Sequence, residues 1–209
     1  YILDWGSEGE AIHRYHDVPL STNGAPMRGK AYFFQPSLAW SRISTSDFSL
    51  RSHGPGLAYD STAPSIFGEE GVRSVLLGLL NSVVVRHLLG ALSPTLDFRI
   101  AALSNIPLPS GWREIDPSTV KELESLARAD WNTVELSWDF ETMPWVPQDR
   151  AADVRVADFW ATCADEFDAL SDRARALEEE NNRAFIKAYG LSDELDATVP
   201  LERVSLQVN

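Results

Sequence analysis

The amino-acid sequence predicts an α+β fold: a small twisted antiparallel sheet with packed helices, followed by a helical region with one long helix. Three observations carry that expectation. Residues 32–67 hold short apolar runs split by glycine and proline, the pattern of brief strands joined by turns. Residues 71–89 repeat apolar side chains at three- and four-residue spacing. From Val156 to Ala188 a sustained four-three apolar repeat marks a coiled-coil-like seam.

In chain order, Tyr1 to Leu3 is a short apolar start, and Glu8 to His16 supplies one or two helical turns. Pro19, Asn23-Gly24, Pro26 and Gly29 make 17–30 a loop. Tyr32 to Phe34 is expected as a strand that Pro36 ends or bulges. Leu38 to Ile43 alternates, with Leu38, Trp40 and Arg42 on one side and Ala39, Ser41 and Ile43 on the other. Phe48 to Arg51, Gly56 to Tyr59 and Ser65 to Phe67 are further strands, parted by Gly54-Pro55 and Ala63-Pro64.

Val72, Val75, Leu76, Leu79 and Leu80 form one helix face, which Val83, Val84, Leu88 and Leu89 continue. Asn81-Ser82 splits the pattern in two, since Asn can end one helix and Ser can cap the next. Gly90 and Pro94 stop the second helix, and Ile106 to Pro109 is extended because residues before proline avoid the helical region. Gly111 to Asp116 is the expected joint between a module at 1–110 and a helical region at 111–209. Asp116 should cap a helix that opens at Pro117-Ser118 and runs over Val120, Leu123, Leu126 and Ala127. The long helix is expected over about 152–189, with Val156, Trp160, Cys163, Phe167, Leu170, Ala174 and Leu177 on its seam and Gly190 as its terminating glycine.

With 44% apolar and 23% charged residues, the composition is that of a globular chain long enough to bury a core. Its apolar runs fall far short of the roughly 20 residues of a membrane helix, so no membrane partner is expected. The start YILDWGSEGE has neither the basic nor the apolar region of a signal peptide, and without Met it is expected to begin inside a longer polypeptide. The single Cys163 excludes a disulfide framework, suits a cytoplasmic location, and reads as a small core residue.

A net charge of −13 argues against a nucleic-acid partner until it is divided. Residues 1–110 carry 8 cationic and 9 acidic side chains, whereas 111–209 carry 10 and 22. Within 28–53 the balance is positive: Arg28, Lys30, Arg42 and Arg51 face Asp47 alone, with His53 alongside. Coulomb attraction is local, so a phosphate backbone would be met there. The same four cations are also what an ordinary solvated surface holds.

Catalytic patterns are weak. The prolines occur in SPTL, IPLP, TMPW and WVPQ, never adjacent, so no Asn/Asp-Pro-Pro-aromatic loop for a flipped base exists. Gly54-Pro55-Gly56 lacks the strand-to-helix setting of a methyl-donor site and reads as a tight turn. His13, His16, His53 and His87 are scattered, with no credible metal spacing, and His87 reads as a packed histidine. Residues 1–110 show no carboxylate cluster of the nuclease kind. Binding chemistry remains. Trp40 to Ser46 alternates an aromatic, a cation and several hydroxyls, and Arg51-Ser52-His53 forms a second cluster. Trp40 is expected in the core.

Several segments together resemble one family. YILDWGSEGEAI, YFFQPSLAWSRIS, FSLR, SIF, LLGLLNS, PTLDF, IPLP, DWNTVELSWDFETMPW and ENNRAFIKAYGLSDELDATVPLERVSL resemble the C-terminal region of the adenine-specific DNA methyltransferases of BREX phage-exclusion systems, related to fused type II restriction-modification enzymes. The resemblance runs nearly end to end, and DWNTVELSWDF with YGLSDEL is its most specific part. It implies a target-recognition-domain-like module at 1–110 that chooses the methylation sequence on double-stranded DNA. It also implies that the methyltransferase domain, with its S-adenosylmethionine, lies elsewhere in the same polypeptide, and that this chain alone is not catalytic and holds no cofactor. Arg28, Lys30, Arg42, Ser44, Arg51 and His53 are the candidate DNA contacts: Arg42 and Arg51 for bases or phosphate, Arg28 and Lys30 for phosphate. The alternative is a protein-interaction scaffold whose acidic helical region docks other subunits of the defence system.

Overall fold

A computed structural model describes residues 3–25, 27–93, 95–146 and 155–206. The α+β expectation holds: a small antiparallel sheet and packed helices precede a helical region with one long helix. Two compact units form, and each is built from two stretches of chain: Tyr1–Arg73 with Leu89–Ile106, and Ser74–Leu88 with Pro107–Asn209.

The first unit begins with helix α1 (Gly6–Tyr15), whose opening turn is left-handed at Ser7, Glu8 and Gly9. Gly9 is required there, because a Cβ would stand 3.1 Å from the Trp5 ring. The sheet comprises β1 (Ser37–Trp40), β2 (Leu50–His53) and β3 (Ser65–Ile66), in the order β2-β1-β3 with both pairings antiparallel. Three of the five strand expectations thus materialise, each shortened or displaced.

Tyr32 to Phe34 is not a strand. A 3-10 turn covers Lys30–Tyr32, entered through left-handed Gly29, and Phe34 is itself left-handed at φ 65°. Phe34 instead exchanges hydrogen bonds with the turn at Gly56 and Leu57 (3.1 and 2.8 Å), which accounts for the other lost strand, Gly56 to Tyr59. Pro36, with no N–H to give, cannot extend β1 backwards.

All four residues of β1 are buried, so the expected half-exposed alternation is absent. On one face Leu38 and Trp40 join Leu50, and the Trp40 indole N–H donates to the Phe98 carbonyl (2.8 Å) while Phe48 bridges the Trp40 and Phe98 rings. On the other, Ser37 donates to the Tyr59 hydroxyl at 2.6 Å. Trp40 is core, as expected. A short helix, α4 (Ile100–Ser104), closes the unit.

The second unit contains most of the helix pair α2 (Glu70–Leu80) and α3 (Val83–Leu92), with α5 (Ser118–Trp131) and α6 (Val156–Tyr189). The break at Asn81-Ser82 falls where the sequence places it. Ser82 accepts from the Val85 N–H (3.4 Å) and donates to the Leu79 carbonyl (2.7 Å). Helix ends leave backbone groups without intrahelical partners, and two consecutive asparagines of α6 satisfy them. Asn181 Nδ2 donates to the Gly78 carbonyl (2.9 Å), and Asn182 Oδ1 accepts from the Val83 N–H (2.9 Å). Asn182 also donates to the Ala197 carbonyl of the tail.

At 34 residues, α6 is about 50 Å long. Helix α5 runs antiparallel beside it: Thr119 reaches Glu180, and Arg173 makes a bidentate pair with Glu122 (2.7 Å each). Asp116 caps α5 from one position further out than expected, accepting both the Ser118 N–H and its hydroxyl, with Pro117 at the junction. Gly190, at φ 70°, ends α6 as expected, with the Leu191 N–H returning to the Ile186 carbonyl (2.9 Å). Along the seam Cys163, Ala174 and Leu177 are buried and Phe167 and Leu170 half-buried, but Val156 and Trp160 are exposed. His87 is exposed as well, on the outer side of α3, and is not a packed histidine. The expected stop at Pro94 and the expected helix start at 152–154 lie outside the described residues.

Gly78 is the tightest point of this unit. A Cβ there would stand 2.5 Å from both Asn181 Oδ1 and Val120 Cγ2. Gly78→Ala is expected to lower unfolding stability by about 1–3 kcal/mol through overpacking, measured by urea denaturation. An unchanged midpoint would show that α2, α5 and α6 are not packed this closely.

Candidate nucleic-acid interface

The six residues singled out by sequence fall in three places of the first unit. Arg28 and Lys30 precede the sheet, Arg42 and Ser44 follow β1, and Arg51 and His53 sit on β2. Across the β1–β2 ladder Arg51 is opposite Ala39 and His53 opposite Ser37, so these two share a face. Arg42 has the parity of Leu38 and Trp40, the opposite face.

Arg42 is held by both backbone and side chain. Its N–H donates to the Thr62 carbonyl (3.0 Å) and its carbonyl accepts from the Phe98 N–H (2.7 Å), beside a bridge between Ile43 and Asp97. Its guanidinium makes a bidentate pair with Asp97, Nε to Oδ1 at 2.9 Å and Nη2 to Oδ2 at 3.2 Å. Asp97 accepts a third bond from Arg99 Nε at 2.7 Å. The bonds from Arg42 and then Arg99 hold the Asp97 carboxyl down at about 2, and the same pairing raises Arg42. Two of the five guanidinium donors of Arg42 are therefore spent. The cluster keeps one surplus positive charge, and Arg99 is its exposed member at 70%.

The other candidates differ in how committed they are. Ser44 shares its hydroxyl with Ser46 Oγ (2.9 Å) and accepts the Ser46 N–H, which shapes the loop after β1. Arg28 and Arg51 are exposed and make no ion pair among the described residues. His53 is half-buried, its ring 6.5 Å from that of Tyr59. Lys30 is half-buried too. It donates to the Leu20 carbonyl (2.9 Å), lies 3.2 Å from His13 Nε2, and stands 5.9 Å over the Trp5 ring. Among the described residues no group of three His, Cys, Asp or Glu is placed to hold a metal ion.

Sequence reasoning missed Asp97 and Arg99. Nothing local marks them, because the partner that gives them meaning is Arg42, 55 residues earlier.

Two comparisons bear on this arrangement. Over 217 aligned positions the chain is 32% identical to the adenine-specific methyltransferase PglX of Lacticaseibacillus casei (strain Zhang), an alignment covering 99% of this chain and 18% of that protein. Over 144 positions it is 27% identical to the adenine-specific methyltransferase BrxX of Escherichia coli O9:H4 (strain HS), covering 66% of this chain and 12% of that protein. The chain therefore spans less than a fifth of the length of these curated relatives. No family model matches it.

The Asp97 cluster gives a pH test. A depressed carboxyl stabilises the fold above the ordinary Asp value near 4, and that contribution is lost as pH falls through about 2. Asp97→Asn should lower the urea midpoint by a constant amount above about pH 4, and the gap to the native chain should close between about pH 4 and 2. A gap that persists undiminished at pH 2 would mean Asp97 is not the charged partner of Arg42. This chain is a homologue of part of the adenine-specific methyltransferases PglX and BrxX.

Proposed function

We propose that this chain reads double-stranded DNA for an adenine-specific methyltransferase of a phage-defence system, choosing the sequence to be methylated. The homology to such enzymes covers 99% of a chain that carries neither a methyl-donor motif nor a flipped-base loop, and this combination supports the reading. Recognition is assigned to residues 1–110 and bracing to 111–209, whose charge of −12 disfavours contact with phosphate. The methyl donor, S-adenosylmethionine, and the chemistry belong to another part of the same polypeptide, working in the cytoplasm.

Within the first unit, roles follow from commitment. Arg28 and Arg51, exposed and outside any ion pair among the described residues, are phosphate or base contacts. Arg99, 70% exposed though bonded through Nε to Asp97, adds a third guanidinium. Arg42 acts chiefly through Asp97, orienting the loop that carries Ser44, and keeps three donors for DNA. Lys30 and His53, being half-buried, contribute at the margin.

Binding of the 209-residue chain to duplex DNA should weaken steeply with salt. Arg51→Ala and Arg99→Ala should each reduce the slope of log affinity against log salt by about one, with the thermal melt unchanged for Arg51→Ala and slightly lowered for Arg99→Ala, which also removes a bond to Asp97. Slopes equal to that of the native chain would remove both residues from the interface. In cells, Arg51→Ala in the complete gene should abolish or retarget methylation, read by methylome sequencing.

A second reading has its own observation. Val156 and Trp160 continue the buried seam of α6 into solvent, 83% and 63% exposed, above the contact of Trp145 with Phe167. A scaffold that docks another subunit of the defence system would use such an end. If so, Trp160→Ser should abolish co-purification of that subunit with the tagged, complete protein while leaving DNA affinity intact; unchanged co-purification would dismiss it.

A further inference from the structure

Beside α1 lies an open cavity of about 380 Å³. Trp5, Glu8, Thr22, Asn23, Lys30 and Phe34 line it. Its volume is within the range of small-ligand pockets. Four features make it more than a surface groove.

Lys30 is pre-placed. Its ammonium has three N–H groups; the Leu20 carbonyl takes one, and His13 Nε2, at 3.2 Å, is positioned to take another. The third remains for an anion at the cavity. His13 is 2% exposed, and with Nε2 as acceptor its ring proton lies on Nδ1, which has no hydrogen-bond partner in the described structure. The buried imidazole thus stands against the Lys30 ammonium on the side away from solvent.

One wall is aromatic. The Trp5 and Phe34 rings meet edge to face at 5.1 Å, with Lys30 over Trp5. Flat heterocycles bind such walls whatever their sequence context. The lining also has a polar part, to which Glu8, Thr22 and Asn23 belong.

The backbone is strained at this place. Among the described residues four that are not glycine have positive φ, and two of them, Glu8 (59°) and Phe34 (65°), line the cavity. Strain of this kind persists where surrounding contacts over-determine it, commonly at ligand clamps. Phe34 is so determined, by paired hydrogen bonds with Gly56 and Leu57.

We propose that this cavity takes a single unstacked nucleotide: heterocycle on the Trp5–Phe34 wall, phosphate on Lys30, and an exocyclic amino group donating to Glu8. The amino requirement selects adenine, cytosine or guanine over thymine, which offers Glu8 only a ring N–H. No group in the cavity does chemistry on the base; it holds a displaced nucleotide. The proposal rests on the DNA-reading assignment for its DNA-borne form, since the nucleotide then comes from an unpaired position in the bound duplex. A free nucleotide presents the same chemistry.

The test uses the full 209-residue chain and titrates four probes: a paired duplex, the same duplex with one unpaired adenine, the same with one unpaired thymine, and adenosine monophosphate alone. The unpaired adenine should bind about tenfold or more tighter than the paired duplex, and the unpaired thymine distinctly less. Glu8→Gln, on an exposed residue, should erase the adenine–thymine difference. Lys30→Gln should erase the whole advantage, and Lys30→Arg should restore part of it. Binding of adenosine monophosphate without any duplex preference would locate the source in free nucleotides. Equal binding of all three duplexes, with no binding of adenosine monophosphate, overturns the proposal while leaving salt-dependent DNA binding intact. If no duplex binds, the DNA-reading assignment fails, and adenosine monophosphate alone then decides for or against the cavity.

Discussion

The second unit depends on a pair of adjacent amides. A helix that breaks and restarts within two residues exposes carbonyls at one end and N–H groups at the other, and burial makes each costly if unpaired. Ser82 repairs part of the break locally: its N–H goes to Leu79 rather than Gly78. The orphan Gly78 carbonyl and the Val83 N–H are then met from α6 by Asn181 and Asn182. Because a side-chain amide has one donor end and one acceptor end, the two asparagines fix the register of α6 against both helices at once. Apolar packing of Leu79, Val84, Val85, Leu177 and Phe185 supplies the driving force; the amides select one arrangement from many with similar burial.

That dependence explains what the sequence could reveal. The helix break at Asn81-Ser82, the glycine stop at Gly190 and the cap near Asp116 were legible because each is set by residues within a few positions. The seam of α6 was legible as a period but not in extent: periodicity cannot say where a covering element ends, so Val156 and Trp160 read like Cys163 and Leu177. Asn181 follows Leu177 at the next seam position, and its role appears only with Gly78, 103 residues away.

The first unit was harder to read for a related reason. Tyr32 to Phe34 and Gly56 to Tyr59 have the composition of strands, but a left-handed residue in one is matched by a turn in the other, and they pair as loop with loop. Short segments carry little propensity, and tertiary partners override it. The cations show the same limit. Arg28, Lys30, Arg42 and Arg51 are alike in sequence, and local charge singles out their stretch. It could not separate a guanidinium gripped by Asp97 from an exposed one, nor an ammonium tucked beside His13 from a solvated one. Availability for a partner is a property of three-dimensional neighbours.

The left-handed turn at the start of α1 has an evolutionary corollary. Of its three successive residues only Gly9 is suited to that backbone; Ser7 and Glu8 are not. Glycine at either position would relieve strain of the order of 1 kcal/mol. A lineage drifting under selection for thermal persistence alone would therefore be expected to replace them, and the carboxylate at position 8 would be among the first features lost. Its presence sets a trade between robustness and whatever the side chain does, so homologues that keep an acidic residue in this strained position are the ones in which that trade is still being made.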